Sequence, residues 1–487
     1  VLFRSHQTDH FFKAIMMPVL YPANVQEYLD YGLHGWAMSR YSGCWTAFKT
    51  VAETVDTSAS VFVDPHRLTI QLPQDFTLPP GGLNIRWPDD PLSQERRLHE
   101  WKLEAVKAYT RANRLDRIIM GGPQRRLGII TCGKSYLDVR QALDDLGIDE
   151  RLATELGLSV YKLAVTWPIE PQGLRAFAEG LEHILVVEEK RGLIEGQIKD
   201  LMYHWPADKR PRVTGKHGET GAPLLPSFDE LTPAMIARAI VGCLPTLQAL
   251  PPVQKRLGDI AAKEQELDHL VGPTAKRIPY FCSGCPHNTS TQVPEGSRAL
   301  AGIGCHYMVQ WMDRDTDTFT QMGGEGVTWV GQAPFMTETH VFTNLGDGTY
   351  YHSGLLALRQ AVAAKVNITY KILYNDAVAM TGGQHVDGPL TPALISLQVY
   401  AEGVRRIALV SDDPTKYPLG TEWAPGTTFH HRRDLDALQL ELRDWPGVSI
   451  LIYDQTCAAE KRRRRKRGMY PDPQKRAFIN TRVCEGC

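Results

Sequence analysis

HVFTNLGDGTYYHSG, residues 340–354, opens with a short apolar strand, Val341, Phe342 and Leu345, that breaks at Gly346-Asp347-Gly348. Glycines at such a break let the backbone approach a ligand. Leu355, Leu356, Leu358, Ala361 and Val362 then supply an apolar face, which predicts a helix beginning near Tyr351. A second strand follows in NITYKILYN, where Ile368, Tyr370, Ile372 and Tyr374 alternate before a polar loop. Strand, helix and strand make one βαβ unit, whose two strands run parallel. Asp347 and Asn375, 28 residues apart (375 − 347), are then expected at carboxyl ends on one sheet edge, where open α/β sheets bind ligands. The helix start would aim free N–H groups at an anion. Asp347 and the amide oxygen of Asn375 are hard oxygen ligands of the kind Mg²⁺ takes when it bridges protein and phosphates. Glycine and aspartate are also ordinary turn residues, so a plain βαβ turn accounts for the same letters.

Four cysteines form a second constellation. Cys282 and Cys285 lie in YFCSGCPHN, Cys305 follows in GIGCHY, and Cys457 comes just after the strand-like VSILIYD. A CxxC pair lets two thiolates from one tight turn reach one metal centre, and two remote cysteines can complete the set. Zinc, with His287 or His306 as further ligands, and an iron–sulfur cluster are both open on this pattern. Cys44, Cys132 and Cys243 read as small buried hydrophobes. Nine cysteines, an odd number scattered over a long chain, do not resemble a disulfide framework.

With 487 residues, 43% hydrophobic and 22% charged, the chain suits a large soluble enzyme of roughly three domains. Lysine plus arginine total 54 against 55 acids, which argues against a general nucleic-acid or membrane-surface role. No apolar run is long enough to span a bilayer, and VLFRSHQTDHFF lacks the features of a signal peptide, so a cytoplasmic location is expected. The absence of an initiating methionine and the closing VCEGC suggest a piece of a longer protein, with Cys484 and Cys487 opening a cysteine motif that is cut short.

Taken together, these stretches resemble the 2-oxoacid:ferredoxin oxidoreductases, and within them the fused bacterial indolepyruvate ferredoxin oxidoreductases. The resemblance extends over essentially the whole chain. It rests on MPVLYPANVQEYLDYGLHGWAMSRYSG, TCGKSYLDVRQALDDLGID, ILVVEEKRGLIEGQIKDLMY, YFCSGCPHN, LGDGTYYHSG and LYNDAVAMTGGQ. It implies a multidomain α/β thiamin-diphosphate-binding fold with parallel sheets flanked by helices, and oxidative decarboxylation of an aryl 2-oxoacid. Coenzyme A would take the acyl group and ferredoxin the electrons. By the same resemblance Gly346, Asp347, Gly348, Thr349, Asn375 and Ala377 bind the cofactor. Asp347, Asn375 and the Ala377 carbonyl would hold Mg²⁺, and Cys282, Cys285, Cys305 and Cys457 a [4Fe–4S] cluster. A non-redox thiamin-diphosphate decarboxylase or carboligase with structural zinc is the alternative. The activating glutamate is expected upstream of residue 1, leaving Glu27 and Glu53 as structural or surface residues; a homo-oligomer is expected of the full-length form.

The domain organisation that the resemblance implies begins with residues 1–120 as the later portion of a pyrimidine-binding domain. There Trp45, Phe48, Ala52 and Val55, and then Leu98, Trp101, Ala105 and Tyr109, recur at helical spacing as core. Residues 121–205 read as a transketolase carboxyl-terminal-like α/β domain, with Ile194, Ile198 and Leu201 on one helical face and Glu188, Glu189 and Lys190 as either a site or a solvated rim. Residues 206–272 read as a Pro/Gly-rich linker and a helical segment. Residues 273–457 form the diphosphate-binding domain with its proximal cluster. Residues 458–487 are a basic tail, whose Lys461–Arg467 run is either solvated or an anion-docking surface, and the truncated cysteine motif. His287, beside the CxxC, could contact the diphosphate or the reacting carboxylate, or cap its turn.

Overall fold

The computed structural model describes residues 7–270, 278–386, 388–474 and 478–485. The chain divides into two compact units, Val1–Thr274 and Ala275–Cys487.

In the first unit a five-stranded sheet runs in the order Arg117–Met120, Leu158–Leu163, Leu127–Cys132, His183–Val187 and Arg212–Thr214. Only its first strand is antiparallel. The helices Gly133–Leu146 and Pro233–Cys243 close one face, burying Val139, Leu143, Ile236 and Ile240 against Ile129, Val160 and Leu185. The Pro/Gly-rich stretch after Tyr203 is therefore not a linker. It carries the edge strand Arg212–Thr214 and buries Lys216, Leu225 and Leu231. Frequent prolines and glycines masked a strand that only pairing with His183–Val187 reveals.

Two further expectations are corrected here. Trp45 is 80% exposed and Ala47–Phe48 is a short strand, so Trp45 to Val55 is no amphipathic helix. The helix lies earlier, at Val25–Ser42, and ends where Gly43 turns left-handed (φ 68°). Glu188 is neither a site nor a solvated rim: its carboxylate accepts the N–H groups of Leu193, Ile194 and Glu195, so it caps the following helix from a buried position. Glu27 is structural, pairing with Lys162 and accepting the Ala23 N–H, and Glu53 is exposed.

The second unit is built on a seven-stranded, wholly parallel sheet. Its order is Thr316–Phe319, Ala299–Ala301, Val341–Gly346, Ile368–Tyr374, Val448–Asp454, Arg406–Ser411 and Thr428–His431. Central parallel strands are covered on both faces and so read as continuous apolar runs. In Val448–Asp454, Ile450 and Ile452 meet Leu345, Ile372 and Ile395 on one face, while Leu451 and Tyr453 meet Leu438 and Leu442 on the other. The helix after Gly346 starts at once, at Asp347, and passes through a π-turn at Tyr350–Gly354 before Leu355–Ala364. Leu358 and Ala361 are buried, whereas Leu356 is 64% exposed, because two residues apart in an α-helix point to nearly opposite faces.

Lys371 sits fully buried in the middle of this sheet. Its Nζ donates to the Gln292 carbonyl and to Gln439 Oε1, both at 2.7 Å. A neutral amine has two N–H bonds for those two acceptors, and burial brings its pKa down to about 7. Between about pH 7 and the ordinary lysine range the unfolded chain binds a proton that the folded chain does not, so stability rises with pH there. Thermal midpoints should climb across this window in the parent chain and stay flatter in Lys371→Met.

Candidate functional site

Strand pairing sets the site. Gly346 lies opposite Leu373, so the chain leaves both central strands at the same edge, with Asp347 next to Asn375. Asp347 Oδ1 accepts the Gly348 N–H at 2.8 Å, and Oδ2 accepts those of Asn375 and Asp376 at 3.0 and 3.1 Å. Burial pushes the Asp347 carboxyl up to about 6 against the pull of those N–H groups. The Asn375 amide oxygen is buried without a hydrogen-bond partner. An unpartnered amide oxygen beside a desolvated carboxylate is a donor pair that a hard cation satisfies, since it compensates both desolvation costs at once.

These residues open into a cavity of about 430 Å³. Gly346, Asp347, Gly348, Thr349, Asn375 and Ala377 all line it, so the fold brings together every residue expected to bind the cofactor. A Cβ added at Gly346 would stand 3.5 Å from His306 and one at Gly348 would stand 3.4 Å from Val378. Side chains there would narrow the cavity. His287 also lines it, with Nδ1 3.3 Å from Ser290 Oγ, and its ring meets that of His306 edge-on at 5.9 Å. Burial lowers both histidines, to about 4 and about 3, so both are neutral at pH 7. His306 drew notice in the sequence only as a metal ligand; its place in the cavity wall depends on the turn after Ala299–Ala301. Met322, Tyr351, Met380 and Val386 add apolar wall that no motif announced.

The four cysteines come into one neighbourhood. Cys285 donates its N–H to the Cys282 carbonyl, closing the CxxC turn through Gly284 (φ 76°), and Cys457 donates its own to the Asn375 carbonyl. Burial pushes the Cys285 thiol up to about 12, and Cys305, Cys457 and Cys282 add to the shift. Cys305 is pushed up to about 11 by burial, reinforced by Cys457 and Cys282. Among the described residues no three His, Cys, Asp or Glu side chains converge closely enough to hold a single metal ion. Cys484 is exposed, and Cys487 lies outside the described residues. Cys44 and Cys132 are buried and Cys243 is half-buried. No helix among the described residues is long and apolar enough to cross a membrane.

Two family models match the chain. Residues 117–265 match the indolepyruvate oxidoreductase domain, and residues 302–397 match the C-terminal TPP-binding domain of thiamine pyrophosphate enzymes. The chain is 28% identical to the indolepyruvate oxidoreductase subunit IorA of Pyrococcus abyssi, over 97% of this chain and 70% of that protein. It is 29% identical to the subunit of the same name from Thermococcus kodakarensis, over 72% of this chain and 52% of that one. Among solved structures, a 2-oxoglutarate:ferredoxin oxidoreductase from Magnetococcus marinus is 18% identical with a TM-score of 0.30, covering 39% of this chain and 70% of that one. A thiamine-pyrophosphate domain is matched over most of the residues that build the cavity, and an indolepyruvate oxidoreductase domain over the five-stranded sheet of the first unit: the chain is similar to the indolepyruvate oxidoreductase subunits along most of its length, and these matches support an oxidoreductase.

Proposed function

We propose that this chain oxidatively decarboxylates an aryl 2-oxoacid such as indole-3-pyruvate, passing the acyl group to coenzyme A and the electrons through a [4Fe–4S] cluster to ferredoxin. The observation that carries the reading is the pairing of the buried Asp347 carboxylate with the unpartnered Asn375 amide oxygen in a cavity of the matched thiamine-pyrophosphate domain. Thiamin diphosphate, when bound, supplies a nucleophilic carbon for the 2-oxo group and an electron sink for loss of CO₂. Asp347, Asn375 and the Ala377 carbonyl would hold Mg²⁺ against its diphosphate. His287 and His306, uncharged in the cavity wall, can offer hydrogen bonds without adding charge. Met322, Met380 and Val386 give the cavity an apolar side.

Cys282, Cys285, Cys305 and Cys457 are the residues that would carry the cluster. A tetrahedral zinc site draws all its sulfurs to about 2.3 Å from one point. A cubane places each thiolate on its own iron, so its ligands can stand further apart. Cys285, Cys305, Cys457 and Cys282 lie near enough to affect one another's ionisation, as four ligands of one centre would. Metal analysis of the anaerobically reconstituted chain tests this directly. About four irons with matching sulfide per chain are expected, and one zinc without sulfide would replace the redox reading by a non-redox thiamin enzyme.

A further inference from the structure

The basic run begins at Lys461 inside the helix Ala458–Lys466 and ends with Arg467 at its C-cap; the helix N-cap is Cys457. Arg462, Arg463, Lys466 and Arg467 are exposed and none of the run is buried, but three of its arginines reach loops of the site. Arg462 donates to the Ser283 carbonyl inside the CxxC turn, at 2.8 Å. Arg463 donates to the Gly382 carbonyl at 2.5 Å, and a Cβ at Gly383 would collide with its guanidinium. Arg464 grips Asp376 twice, through Oδ2 at 2.6 Å and the backbone carbonyl at 3.2 Å. Arg464 is also tied to Glu460 on its own helix, which holds the guanidinium in place.

Asp376 is where that grip matters. It follows Asn375 directly, precedes Ala377, and its backbone is left-handed (φ 60°), a region that few residues other than glycine, asparagine and aspartate adopt. Its N–H is one of those that Asp347 Oδ2 accepts. A planar guanidinium that takes both a side-chain and a main-chain oxygen fixes position as well as charge. We propose that Arg464 is a positioning residue for the cation and diphosphate site: by pinning Asp376 in the left-handed turn, it sets the directions of the Asn375 amide oxygen and the Ala377 carbonyl. The proposal rests on the reading of Asp347 and Asn375 as that site, and it gives Arg464 a role inside the fold.

The test has one readout that needs no cofactor. In the unliganded chain, Arg464→Gln should speed hydrogen exchange at the Asn375 and Asp376 amides by about tenfold, because the turn that presents them to Asp347 loosens. Arg465→Gln removes the same charge from a residue that holds Pro471 and Tyr470 instead, and should leave those amides as slow as in the parent. Arg464→Lys keeps the charge without the fork and should loosen the turn as well, which guards against a Gln variant that fails to fold. In thiamin diphosphate titrations, half-saturating Mg²⁺ should rise about tenfold for Arg464→Gln and Arg464→Lys, as for other partners behind a metal ligand. Equal exchange in Arg464→Gln, Arg464→Lys and Arg465→Gln overturns the positioning role. Faster exchange in a chain whose parent form binds no thiamin diphosphate with Mg²⁺ would instead sink the cofactor reading and leave the clamp standing.

Discussion

Asp347→Ala is expected to weaken Mg²⁺-dependent thiamin diphosphate binding by on the order of 100-fold, about 2.8 kcal/mol. The carboxylate contributes in two ways. In the proposed site it would be a charged oxygen ligand at the cavity edge, and it gathers the backbone N–H groups of Gly348, Asn375 and Asp376 that shape the turn. The substitution leaves those three donors without their acceptor, so some thermal stability will be lost as well. Asn375→Ala separates the two contributions. Its amide oxygen has no protein partner, so its removal should lower cofactor affinity with little change in thermal midpoint. Isothermal titration with thiamin diphosphate at fixed Mg²⁺ measures both variants, and an Asp347→Ala chain that binds as the parent does would end the clamp hypothesis.

Cys305→Ser carries the second large effect. Serine offers a hard hydroxyl where iron–sulfur chemistry takes a soft thiolate, so dye reduction driven by a 2-oxoacid should fall at least about tenfold. Thiamin diphosphate affinity should stay unchanged, since Cys305 forms only part of the cavity wall and no part of the Asp347–Asn375 pair. Measured side by side, the two quantities discriminate: undiminished dye reduction counts against the cluster, whereas loss of both would mean that the substitution disturbs the Cys305–Trp311 turn and with it His306. The Asp347 and Cys305 variants thus probe different halves of the proposed reaction.

The strand–Gly-Asp-Gly–helix–strand stretch could be read from its letters because its signals are local. An apolar run of strand length ends at glycine, and a second run of alternating residues ends at Asn375. Parallel pairing across a crossover helix then leaves one arrangement, with Asp347 and Asn375 at the same edge. The CxxC turn was visible for the same reason, whereas Cys305 and Cys457, remote in the chain, joined it only through the family resemblance. Trp45 misled because helical spacing over a few residues arises by chance, and Gly43 had already ended the real helix. The strand Arg212–Thr214 stayed hidden because a sheet edge is created by its partner, not by its own composition.

Sequence alone therefore determined the elements whose causes lie within a few residues: the parallel βαβ core and the CxxC turn. Only the tertiary structure decided what depends on encounters between remote segments. Lys371 is a surface-type residue by its letter, yet the sheet buries it and gives its amine two acceptors from segments 79 and 68 positions away. Glu188 becomes a helix cap only once its strand end meets the helix Ile194–Met202. The run of arginines reads as a solvated charge stretch until the fold lays it across Asp376 and Gly382. The physical reason is common to all three: burial and hydrogen-bond partnership are set by which surfaces meet, and a one-dimensional pattern records the propensity of each surface but not its partner.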